Sequence, residues 1–187
     1  QAAPGALLIH GAGGKRAEMD ELAARLHKVG FAVLSIDLRG HGENATEGDE
    51  WSGLEREDRE HLWAFATRDV VAGTKFLTDQ KEVHSSSMVL VGHGAGAALV
   101  ARHAVKDEDV RAIALLDPPS DKAGTYGFQL DKDLEDLGGL PTYISVPKEG
   151  HAAAQRMADD GQRANGGLEF IRISVFRGAS AELLSDT

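Results

Sequence analysis

The sequence predicts an α/β fold, a three-layer αβα sandwich around a mostly parallel six-stranded sheet. Three observations lead there. Short apolar runs alternate with segments of helical period along the whole chain. Most of those runs are continuous rather than alternating, as strands covered by helices on both faces require. Three of them lead directly into glycine-rich turns.

The strand candidates, in order, are Ala6 to Ile9, Phe31 to Ile36, Met88 to Val91, Val110 to Leu116, Thr142 to Val146 and Leu168 to Val175. The last partly alternates, which suits an edge strand. Between them, Glu18 to Lys28 spaces Met19, Leu22, Ala23 and Leu26 on one helical face, and Asp69 to Leu77 does the same with Val70, Val71, Thr74 and Leu77. Ala95 to Val105 reads as a small-residue helix able to approach the sheet closely. Ala152 to Asp160 reads as another, with Gly161 as its expected stop. Alternating βα units imply right-handed crossovers and ligand sites at the carboxyl ends of the strands. Two long connections, Arg39 to about Leu62 and Asp117 to Gly139, are expected to flank that edge.

At 187 residues the chain is expected to form one domain, spanning 1–187. Twenty Lys and Arg against 30 Asp and Glu leave a net charge of −10, which opposes attraction to nucleic acid or anionic lipid. Without cysteine there is no disulfide framework and no thiolate metal site. No stretch approaches the roughly 20 apolar residues of a membrane span, so a soluble domain is expected. The opening Gln1 to Gly5 reads as small and flexible, and both an exported (periplasmic or extracellular) and a cytoplasmic setting stay open. Nothing in the composition indicates oligomeric state.

The chemistry is concentrated in the turns. His10-Gly11-Ala12-Gly13-Gly14 follows the first strand, Asp37-Leu38-Arg39-Gly40-His41-Gly42 the second, and Gly92-His93-Gly94-Ala95-Gly96 the third. Glycine lets backbone approach a ligand or adopt positive φ, so three such turns on one sheet edge suggest a shared site. In this order they resemble the α/β-hydrolase family, in a minimal, lidless form similar to dienelactone hydrolases and esterases. The first resembles its oxyanion loop, the second its Asp-x-Arg-Gly-His-Gly turn, and the third its G-x-S-x-G nucleophile elbow. The resemblance runs from the family's third strand to just past its eighth, so the first two strands and a lid are expected to be lacking.

The resemblance also exposes departures. The nucleophile position is Gly94, which has no side chain to attack a carbonyl. The acid position falls in Val146-Pro147-Lys148-Glu149-Gly150-His151, at Gly150, and the base position in Arg177-Gly178-Ala179-Ser180, at Ala179. The triad therefore reads as degenerate. The leading expectation is a pseudoenzyme that uses the former cleft for binding or interaction, with a small molecule bearing a carboxylate or carbonyl group as a candidate ligand. His10, Gly11, Ala12, His93, Gly94 and Ala95 would line the site, and the N–H groups of Ala12 and Ala95 would serve as donors.

Two other readings stay open. Asp117, Glu149, His151 and His10 could act as relocated acid and base groups in a hydrolase, with Ser180 near the same rim. Alternatively, Gly92 to Ala97 matches G-x-G-x-x-A, with Asp117 near the distance of a ribose-binding acid, as in a dinucleotide-binding domain. No cofactor or metal is expected. His10, His41 and His93 are read as local packing and hydrogen-bonding groups rather than as a zinc site. Ser85-Ser86-Ser87 reads as a polar loop, Trp51 and Trp63 as anchors of the acidic segment, and Glu55 to Glu60 as a solvated helix face.

Overall fold

The computed structural model describes residues 2–120 and 126–177. Its six strands are β1 (Ala3–Ile9), β2 (Ala32–Ile36), β3 (Val83–His93), β4 (Val110–Leu116), β5 (Thr142–Pro147) and β6 (Ile171–Phe176). All neighbours pair in parallel, in the order β2-β1-β3-β4-β5-β6. The chain steps one way from β1 to β2 and then back across to β3. The carboxyl ends of β1 and β3 therefore form the point where the winding direction reverses, the crevice in which open α/β sheets hold ligands.

Among the described residues, five α-helices connect the strands: α1 (Asp20–Lys28), α2 (Arg56–Thr78), α3 (Gly96–Ala104), α4 (Leu130–Glu135) and α5 (His151–Ala164). The main core joins Leu7, Ile9 and Leu90 on the sheet to Trp63, Val70, Leu99, Leu134 and Ala154 on α2 to α5. A smaller cluster of Leu8, Met19, Val91 and Leu116 lies on the opposite face, where Leu22, Ala23 and Leu26 of α1 pack against it. Leu7, Leu8 and Ile9 are fully buried, so each contributes roughly 1.5–3 kcal/mol.

Several boundaries differ from expectation. The acidic segment is not irregular up to Leu62, because α2 begins at Arg56 and runs 23 residues. Its buried face, Trp63, Ala66, Val70, Gly73, Thr74 and Leu77, keeps helical spacing, while its first turn is fully polar and hides the period. Gly161 does not stop α5. It lies inside the helix, where an added Cβ would stand 3.2 Å from the Leu134 carbonyl, so the glycine permits close packing on α4. The α4 helix itself was not anticipated within the 117–139 connection.

Ser85 to Ser87 are part of β3 rather than of a loop before it. The register with β1 jumps from Pro4↔His84 to Gly5↔Met88, leaving the three serines as an unpaired excursion. Ala3 to Gly5, expected to be loose, form the start of β1. The last strand begins at Ile171 rather than Leu168 and does lie at the sheet edge. Among the described residues, no helix is long and apolar enough to cross a membrane.

The turn from β3 into α3 admits no side chain at two of its glycines. A Cβ on Gly92 would stand 2.6 Å from the Ala97 Cα, and one on Gly96 would stand 2.3 Å from the His10 carbonyl oxygen. Both obstacles are backbone and cannot swing aside. Gly96→Ala is therefore expected to lower unfolding stability in urea by about 3 kcal/mol or more, at the upper end of overpacking effects. Gly53→Ala, with nothing within 4 Å of the new atom, is expected to stay within about 0.5 kcal/mol.

Candidate functional site

Gly94 occupies the tip of the β3–α3 turn at φ +52°, in the left-handed region. Its N–H donates to the Leu116 carbonyl (2.8 Å), and its own carbonyl receives the Ala97 N–H (3.1 Å). These bonds pin the tip between β4 and the first turn of α3. A Cβ at Gly94 would meet only the Gly11 Cα, at 3.8 Å. Unlike positions 92 and 96, this one has room for a side chain.

The first loop lies directly beside the tip. A Cβ at Gly11 would stand 3.3 Å from the His93 carbonyl and 3.9 Å from the Gly94 Cα. The structure thus sets the loop of His10, Gly11 and Ala12 against the tip formed by His93, Gly94 and Ala95, through contact of Gly11 with His93 and Gly94. No acceptor among the described residues engages the N–H of Ala12 or of Ala95. The Ala95 donor also sits at the N-terminus of the nine-residue α3, where the helix dipole favours negative charge.

Two imidazoles hold the loops in place. His10 is fully buried; its Nδ1–H donates to the Gly11 carbonyl (2.7 Å), and its Nε2 accepts the Leu38 N–H (3.0 Å). His41 mirrors it, with Nδ1–H donating to the Arg39 carbonyl (2.8 Å) and Nε2 accepting the Gly13 N–H (3.0 Å). Each loop therefore supplies one imidazole to a backbone N–H of the other. The rings lie 5.0 Å apart, and the Trp51 indole stacks on His41 at 4.7 Å. Trp51 and Trp63 are both buried and anchor the 39–62 segment, as expected.

The rest of the second turn is anchored by charge. Asp37 accepts the N–H groups of Arg16 (2.7 Å) and Glu43 (3.1 Å) and sits 3.4 Å from the Arg16 guanidinium. Burial pushes its carboxyl up, but these donors outweigh burial and hold it below the ordinary carboxylate range. Arg39 makes a two-pronged pair with Asp69 of α2 (3.0 and 2.7 Å), and the Arg39 N–H adds a third bond (2.9 Å). Gly42, at φ +51°, leaves no room for a Cβ, which would lie 2.4 Å from the Asp37 carboxyl. Sequence reasoning identified the turn but not Asp69, which reads as one more polar residue on a helix.

The proposed relocated groups are not assembled. Both ring nitrogens of His10 are engaged by backbone, and burial lowers its pKa to about 4, so His10 is neutral with its lone pair occupied. Burial likewise lowers His41 and His93, against opposing pulls from Arg39 O and Asp37 on the former and Asp117 and Glu18 on the latter. Asp117 stands at the end of β4 at φ +47°, its N–H bonded to the Ser145 carbonyl (2.7 Å). Glu149 and His151 are exposed where α5 begins. Among the described residues, no hydrogen bond or ion pair joins Asp117, Glu149, His151 and His10. Gly150 is the residue before α5, and Ala179 and Ser180 lie outside the described residues.

The described residues contain no group of three or more His, Asp or Glu side chains arranged to hold a metal. Liganding by His10 or His41 would require breaking a bond to backbone. The glycines that match the dinucleotide pattern, Gly92 and Gly94, each have a local reason in the turn: close backbone contact at one and positive φ at the other.

The buried neutral imidazoles give stability a pH dependence of definite sign. The folded His10 pKa, about 4, lies below the unfolded value of 6.5, so the unfolded chain takes up the proton first. Stability from this group is constant above pH 6.5 and is lost as pH falls from 6.5 to about 4, by roughly 3 kcal/mol in all. Urea titrations across that range are expected to show the loss, with a flatter profile for His10→Gln; identical profiles would remove His10 as the source.

Comparison with known proteins agrees with this geometry. The sequence profile of the alpha/beta hydrolase family matches residues 6–183. Two uncharacterized proteins of Mycobacterium tuberculosis are each 31% identical over 103 residues, covering 55% of this chain and 32% of theirs. The chain thus spans about a third of the length of these curated relatives. Among solved structures, an esterase of Pyrococcus furiosus superposes with a TM-score of 0.71 at 17% identity, covering 98% of this chain and 80% of that one. A putative acetyl xylan esterase of Bacteroides fragilis gives 0.69 at 13%, covering 94% and 60%. The Thermus thermophilus protein TT1662 gives 0.71 at 15%, covering 98% and 87%. At these identities the superpositions speak to fold. With the profile spanning both glycine-rich loops, the elbow, most of β1 and the five other strands, the chain belongs to the alpha/beta hydrolase family.

Proposed function

We propose that the protein is a noncatalytic member of its family that uses the former active-site cleft to bind a small molecule bearing a carboxylate or carbonyl group. One observation carries this reading: the tip of the elbow is Gly94, without a nucleophile, while the Ala12 and Ala95 N–H groups beside it keep no acceptor among the described residues. Acyl transfer needs an attacking side chain and a base within reach of it. Here the tip of the elbow offers no attacking side chain, and the one buried imidazole at the end of β1, His10, has its lone pair committed to Leu38. Electrostatic donors outlast the loss of a nucleophile, because backbone N–H groups belong to the turn and not to a side chain.

The reading takes Gly150 and Ala179 as the former acid and base positions, so three groups are missing rather than one. The net charge of −10 does not oppose an anion strongly at this spot, since salt screens distant charges beyond about 8 Å while the two donors act at contact.

The test is an esterase assay with nitrophenyl acetate together with labelling by a fluorophosphonate. Neither turnover nor labelling is expected. Turnover abolished by His151→Ala and indifferent to the fluorophosphonate would overturn the reading in favour of relocated catalysis. Gly94→Ser fits the available space and is expected to fold without gaining esterase activity. A large gain would reveal a working base and equally overturn it.

A further inference from the structure

Away from the elbow, a groove of about 760 Å³ runs between α2, the end of α3 and the 126–128 turn. Ala64 and Val71 of α2 line it together with Tyr126 and the largely buried Phe128, and Val71 is 53% exposed. Arg102 and Lys106 form one end of the groove; Glu57 and Glu60, a helical turn apart near the start of α2, form the other.

Arg102 is held in an unusual way. Its Nε donates to Oδ1 of Asp133, whose side chain is 5% exposed, while Oδ2 of the same carboxylate is buried without a partner. The pair therefore uses one oxygen and one nitrogen, not the two-pronged geometry that Arg39 and Asp69 adopt. The guanidinium lies over the Phe128 ring, 5.4 Å from its centroid. Fixed at Nε and along one face, it leaves both terminal nitrogens without an acceptor among the described residues, at the wall of the groove. Lys106, four residues on, has no ion-pair partner among them either.

A planar fork immobilised by a buried carboxylate and an aromatic face matches a carboxylate two-prong to two-prong, with little ordering left to occur on binding. We propose that this groove binds a small amphipathic carboxylate, its anionic group on the Arg102 fork and the Lys106 ammonium and its apolar body along Phe128, Val71 and Ala64. The charge pattern selects a monoanion: one fork and one ammonium meet it at one end, and Glu57 and Glu60 repel further negative charge at the other. Asp133 is a positioning residue that acts through Arg102.

Calorimetric titration with 4-phenylbutyrate, 4-phenylbutanol and 4-phenylbutylamine tests this on the intact chain. Saturable binding of the carboxylate is expected, with the alcohol at least tenfold weaker and the amine weaker still. Arg102 variants strand the buried Asp133, so the exposed Lys106→Glu and Val71→Asp carry the test, each expected to weaken 4-phenylbutyrate at least fivefold. Gly94→Ser is expected to leave its affinity unchanged. Equal binding of acid and alcohol, no saturable binding, or indifference to Lys106→Glu would overturn the proposal. So would loss only in Gly94→Ser, which would put the probe in the elbow cleft and leave the noncatalytic reading of that cleft standing.

Discussion

The geometry of the elbow region depends on two neutral imidazoles exchanged between two loops. His10 rises from β1 and accepts a backbone N–H of the second turn, and His41 rises from the second turn and accepts one of the first. Neither bond survives protonation, because a charged ring has no lone pair to offer. Burial keeps both rings neutral, and the indole of Trp51 covers one of them. The loop that sets Gly11 against Gly94 is therefore held by desolvated histidines, and the rings of Trp51, Trp63 and Tyr126 pack in a cluster beside His41.

This arrangement clarifies what histidine signifies in such a turn. An imidazole at the end of a strand, near a cleft, invites a catalytic assignment. Here its two nitrogens are used up by main-chain groups, and its bonds tie one glycine-rich segment to the other. Asp37 and Arg39 extend the same logic with charge, tying the rim to Arg16 and to Asp69 on α2. Such a rim positions backbone donors whether or not a nucleophile stands among them.

Much of this was legible in the sequence, and the limits have physical causes. Strands buried on both faces announce themselves as continuous apolar runs, so β1, β2, β4 and β5 were found to within a few residues. The start of α2 was legible at Glu55 to Glu60 only as a solvated helix face, since an exposed first turn carries no apolar period to join it to the Asp69 to Leu77 stretch, and Gly161 misled because close helix packing and helix termination call for the same residue. The three turns were recognisable by their glycines and order, and the residues beside Gly94 followed. Their partners did not. The His10–Leu38 and His41–Gly13 bonds each join residues 28 apart, and Arg102 meets Asp133 across 31, with no local pattern recording either.

The backbone at Gly94 has a further consequence for the balance between stability and chemistry. At φ +52° an L side chain carries a steric penalty of about 1–2 kcal/mol, strain that an active elbow must store to present its nucleophile. Glycine relieves that strain, and its greater freedom in the unfolded chain returns only about 0.5–1 kcal/mol of the gain. The turn is thus held by the Leu116 and Ala97 bonds and by the glycines around it at no steric penalty of its own. An elbow with glycine at its tip is a relaxed one, and stability alone gives no incentive to place a side chain there.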